Sequence, residues 1–129
     1  MGMYTELLLT VRLKKETPRQ VINILEQMLY NKKSLHGLSS HLLFKTSRWE
    51  WMFSGSSYYF NSILKSLIEY DDITHSYFLS VNFNIKNYGN EIELFIDWIM
   101  PFVAAYPGEF LGYSRYEEAT EPTLIYKGE

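Results

Sequence analysis

Two stretches of strict alternation, far apart in the chain, limit what it can fold into. In segment 4–15, Leu7, Leu9, Val11 and Leu13 face one way, and Glu6, Thr10, Arg12 and Lys14 face the other. In segment 76–86, Tyr77, Leu79, Val81, Phe83 and Ile85 alternate against Ser80, Asn82, Asn84 and Lys86. A period of two lines up one face of a strand, so each run reads as a half-buried strand. Each then passes through a polar link into a helical pattern. After the first, Thr17 suits a cap, Pro18 the first helical position and Gln20 a capping box. Val21, Ile22, Leu25, Met28 and Leu29 follow at helical spacing to about Tyr30. After the second, Asn90 starts a helix with Glu93 in the capping-box position. Ile92, Phe95, Ile96 and Ile99 form its stripe, and Pro101 ends it.

The rest of the chain is less regular. Residues 31–40 read as a loop, and short strands are predicted at 41–45 and 48–53, with Trp49, Trp51 and Phe53 on one face. Segment 58–70 fits a helical face as well. It reads better as a strand ending near Tyr70, because Asp71-Asp72-Ile73-Thr74-His75 looks like a hairpin turn. Strands follow at 109–117 and 123–127, set off by Pro107-Gly108 and Glu121-Pro122. The expectation is one α+β domain over 1–129, built from two pseudo-duplicated β-α-β-β units at 1–70 and 76–129. Its sheet is largely antiparallel, with two helices on one face.

Composition narrows the function. The chain has no cysteine, which removes disulfides, thiolate metal sites and cysteine nucleophiles. There is no basic-then-apolar leader and no apolar window near the ~20 residues of a membrane span, so a cytoplasmic location is expected. A net charge of −3 has the wrong sign for general nucleic-acid binding. Aromatic residues make up 17% of the chain, more than a core of this size needs, so some rings are expected at an interface.

Motifs that carry chemistry are absent. No phosphate-cradling glycine loop, dinucleotide fingerprint, zinc-helix pair or nucleophile elbow occurs. His36 and His41 are five apart, a spacing that matches no metal pattern. His75 beside Asp71 and Asp72 would make a small acid–base or metal cluster, though these residue types are also common at turns. Neither catalysis nor a cofactor is expected.

The aromatic segments are the better signal. Arg48, Trp49, Trp51, Tyr58, Tyr113 and Arg115 join His75 as candidate binding residues, since rings beside arginine stack bases and anchor protein interfaces. The plain alternative is that an aromatic face is core, and most of Trp49, Trp51 and Phe53 are expected to be buried.

Lys86-Asn87-Tyr88-Gly89-Asn90-Glu91, Phe95-Ile96-Asp97-Trp98-Ile99, Gly108-Glu109-Phe110-Leu111-Gly112-Tyr113, Arg115-Tyr116-Glu117-Glu118, Pro122-Thr123-Leu124-Ile125-Tyr126 and the run around Phe44-Lys45-Thr46 and Trp49 stand out together. In them the chain resembles a family of small uncharacterised bacterial and prophage-type proteins, over nearly its whole length. The resemblance implies no activity. The leading expectation is a non-enzymatic phage or mobile-element protein that binds and inhibits a host defence protein stoichiometrically. Alternatives are a small-molecule or nucleotide-signal binder, a homodimerising domain, and a metal-dependent vicinal-oxygen-chelate-like domain drawing on Glu6, His41 and Glu109.

Overall fold

The two alternating runs become the centre of a sheet. The first forms β1 (Thr5–Arg12) and the second β3 (Ser76–Ile85), paired antiparallel with Leu7 opposite Phe83, Leu9 opposite Val81 and Val11 opposite Leu79. The structure is a computed structural model that describes residues 3–30, 41–46, 49–55 and 66–128. Around the central pair lie β2 (Leu67–Asp71), β4 (Phe110–Tyr116) and β5 (Thr123–Tyr126), in the order β2-β3-β1-β4-β5, every neighbouring pair antiparallel. The first four strands and two helices follow one another as β-α-β-β-α-β with β1 and β3 inside, the split β-α-β arrangement, and β5 extends it at one edge.

Helix α1 (Arg19–Tyr30) and helix α2 (Glu91–Ile99) both close over one face of the sheet. Val21, Ile22, Leu25 and Met28 from α1, and Ile92, Phe95 and Ile99 from α2, share one apolar cluster with Leu7, Leu9, Val11 and Leu13. Burying these stripes supplies roughly 1.5–3 kcal/mol for each large side chain.

The helix starts are made differently from the expected capping boxes. Thr17 donates its hydroxyl to the Lys14 carbonyl rather than capping α1. Asn90 takes a left-handed conformation and its side chain makes no cap bond. Asn87 does that work instead: its Oδ1 accepts the Ile92 amide and its Nδ2 donates to Glu93.

The strands predicted at 41–45 and 48–53 are not strands. Leu42–Lys45 and Trp49–Ser54 are 3₁₀ turns, so among the described residues the first half lacks the β-β pair that closes the second. Their inward positions therefore recur near every third residue, as 3₁₀ geometry requires. Trp49 is only 4% exposed and Met52 is buried, while Trp51 points outward and is 57% exposed. Phe44 sets its ring edge-on to both Trp49 and Trp98, which locks the first turn against α2. His41 completes the tie, accepting the Leu43 amide at Nδ1 and standing 2.8 Å from Asp97 at Nε2. Segment 58–70 lies largely outside the described residues; its end forms β2, as predicted, and a hairpin turn leads on to β3.

Candidate functional site

Away from the helices, the sheet presents a second face. Cross-strand register places Glu6 between Asn84 and Arg115, and Leu8 between Asn82 and Tyr113. Further out, Leu124 lies opposite Tyr113 and Tyr126 opposite Phe110. Two of the candidate residues, Tyr113 and Arg115, thus meet here. Arg115 brings Nη2 within 3.3 Å of Glu6 Oε1, without the alignment of a hydrogen bond. Burial, and then the Glu6 charge, pushes the Tyr113 phenol above its ordinary pKa, since both oppose a phenolate there.

Glu6 is 7% exposed and Asn84 4%. Glu6 Oε1 and Asn84 Oδ1 are both closed off from solvent and accept no hydrogen bond among the described residues. Leaving a buried acceptor unpaired costs about 1–3 kcal/mol. Because neither oxygen reaches the surface, the pair belongs to the sheet's interior rather than to a ligand's approach.

The remaining candidates disperse. Arg48 and Tyr58 lie outside the described residues. Trp49 is core, and Trp51 stands exposed on its own turn. His75 sits in the β2–β3 turn with a positive φ of 55°. Asp71 organises that turn by accepting the Ile73 amide and the Thr74 hydroxyl, and the Ile73 bond foremost holds its carboxyl below the usual range. The Asp71–His75 group is thus a local turn. Among the described residues no three His, Cys, Asp or Glu side chains gather as a metal site, so Glu6, His41 and Glu109 do not form one.

The two edges of the sheet differ. At β2, the Tyr30 hydroxyl both accepts from the Ile68 amide and donates to its carbonyl, occupying the backbone groups of that one residue. That strand also carries Glu69 and Asp71. Charge and coverage are the usual means by which proteins close an edge. β5 has neither: its residues are Thr-Leu-Ile-Tyr, and among the described residues it pairs only with β4. Ile125 turns into the core while Leu124 and Tyr126 stay exposed, and the Tyr126 ring packs against exposed Phe110 with centroids 5.8 Å apart.

No protein-family model, curated protein or solved structure matches the chain. The open edge therefore has to be read from its own chemistry. It is bounded at the hairpin end by exposed Glu118 and Glu121 and at the other by Tyr106. Sequence reasoning missed Phe110, Leu124 and Tyr126. The signal for them was an uncharged alternating strand following Pro122, in a chain whose other edge strand carries acids. No helix among the described residues is long and apolar enough to cross a membrane.

Proposed function

We propose that this chain is a non-enzymatic binding protein that takes an extended segment of a partner protein against the open edge of β5. The observation that carries the reading is the contrast between the edges. Tyr30 occupies the Ile68 backbone groups and two carboxylates line β2, whereas β5 pairs only with β4 among the described residues and keeps Leu124 and Tyr126 exposed beside Phe110. Strand addition of this kind draws affinity from main-chain hydrogen bonds and specificity from alternate side chains. The partner segment alternates apolar residues that meet Phe110, Leu124 and Tyr126, and ends in a basic residue facing Glu118 and Glu121. Missing catalytic motifs, surplus aromatic residues and the prophage-type resemblance support the fuller reading. In it, a phage or mobile element carries the chain, which inhibits a host defence protein in the cytoplasm by stoichiometric capture.

The test is capture by the tagged chain and by Leu124→Lys and Tyr126→Lys, with hydrogen exchange followed in the complex. The expected result is a one-to-one partner that protects the β5 amides and is lost with either substitution at unchanged thermal midpoint. Capture that survives both substitutions, or protection confined to other strands, rejects the reading. A dimer that Leu124→Lys dissociates would instead put a second copy of this chain on the edge.

A further inference from the structure

The central strand loses its neighbour for part of its length. Pairing of β1 with β4 ends at Leu9 opposite Gly112, where β4 is bulged between Phe110 and Gly112. Contact on that side resumes only at Leu13 opposite Val103, with the Ala104 amide donating to the Arg12 carbonyl. Between them Thr10 and Val11 have no cross-strand partner on this side, and the sheet opens into a cleft of about 670 Å³. Val11, Val103 and Leu111 give it an apolar floor, and Arg12, Lys14 and Lys15 line it with positive charge. The lining also holds Phe78, under the Arg12 guanidinium at 5.1 Å, and Tyr106, whose ring is 82% exposed.

We infer that this notch is a binding site for a small organic anion carrying a planar ring, of the size of a nucleoside monophosphate. The volume lies within the ~300–1,000 Å³ of ordinary ligand sites, which combine apolar walls with a few placed polar groups. Arg12, Lys14 and Lys15 enter no ion pair among the described residues, so their charge is available to an anion. Of the opposing carboxylates in the lining, Glu109 accepts the Tyr106 amide at 3.3 Å, and Glu16 is exposed. Arg12 also faces Asp71, whose carboxyl its charge helps to hold low. Within the lining itself, three cations stand against the two carboxylates Glu16 and Glu109. An apolar floor with rings beside the cations selects an anion that also has a face to stack, in preference to bare phosphate.

Titration calorimetry with AMP, adenosine and inorganic phosphate separates the parts of this inference, and it needs no protein partner. AMP is expected to bind at least tenfold more tightly than adenosine or phosphate, and to weaken as salt is raised. Lys14→Glu combined with Lys15→Glu is expected to weaken AMP by tenfold or more. Tyr106→Ala, at a fully surface position, is expected to weaken it severalfold without moving the thermal midpoint. Absence of AMP binding, phosphate binding as tight as AMP, or an affinity untouched by the double charge reversal would each overturn the inference.

Discussion

Glu6 and Arg115 face each other across neighbouring strands, with Oε1 of the buried carboxylate 3.3 Å from Nη2 of a guanidinium that remains open to solvent. Oε1 of the acid is closed off from water, while the base stays largely open to it. Removing the base therefore strands a charge, whereas removing both leaves a neutral contact. Arg115→Met is expected to destabilise the fold by about 1–2 kcal/mol, below the ~3–5 of a fully enclosed pair because the guanidinium is solvated. Glu6→Gln combined with Arg115→Met is expected to recover part of that loss. Urea unfolding of the double-mutant cycle measures both, and an unchanged midpoint in Arg115→Met would show that the pair contributes nothing.

Tyr113 gives a pH signature. Burial first, and the Glu6 charge next, raise its phenol pKa in the folded chain. A raised folded-state pKa favours the fold while the unfolded phenol, near pH 10, would also stay protonated. That contribution is lost as pH climbs from about 10 through the higher folded value. Carbon-13 NMR of labelled tyrosine is expected to show a late-titrating ring that is absent in Tyr113→Phe and shifted toward the ordinary value in Glu6→Gln. Titration of that ring at the ordinary value in the unaltered chain contradicts this account.

Gly112 marks where β4 comes closest to β1. A Cβ there would collide with the Leu8 carbonyl oxygen and stand 2.9 Å from the Leu9 Cα, both backbone atoms without room to move. Gly112→Ala is expected to cost about 3 kcal/mol or more and to loosen β4 together with β5. Amide exchange localises the effect: fast exchange confined to residues 110–126 is the expected pattern, and wild-type stability would refute it.

Trp49 and Trp51 make a matched pair. Trp49→Ala empties a core position and is expected to cost about 3–5 kcal/mol, while Trp51→Ala should stay within about 0.5 kcal/mol. Chemical denaturation followed by circular dichroism compares them directly. Equal losses would place both rings in the core.

That pair also shows where the sequence was legible and where it was not. The two alternating runs, both helical stripes and the final hairpin were readable, because burial on one side imposes a period that side chains must obey. Trp49, Trp51 and Phe53 satisfy the strand period equally well, but Trp49 and Met52 satisfy a period near three, and that is the one used. Over six residues the two patterns overlap, and packing against Phe44 and α1 decides between them. At the surface, Tyr113 and Arg115 were readable as candidate binding residues, yet their actual neighbour is Glu6, read as the polar side of a strand and as a metal-ligand candidate with His41 and Glu109. Nothing local marks Glu6 as buried, since its environment comes from strands distant in sequence. The open β5 edge was invisible for a related reason: openness depends on which strand ends the sheet, and so on topology.

The central place of β1 governs the order in which this molecule can be made. Thr10 lies 70 residues from Ser80, its partner in β3, and Tyr4 lies 113 residues from Glu117, which holds it from beyond the end of β4. With synthesis running at roughly 5–20 residues per second, β1 leaves the ribosome several seconds before anything exists to pair with it. During that wait an apolar strand with two bare sides is exposed to every other nascent chain. Until β3 follows, only α1 and the 3₁₀ turns among the described residues can cover it, so output in the cell will depend on holding chaperones and translation speed more than the finished protein's stability would suggest.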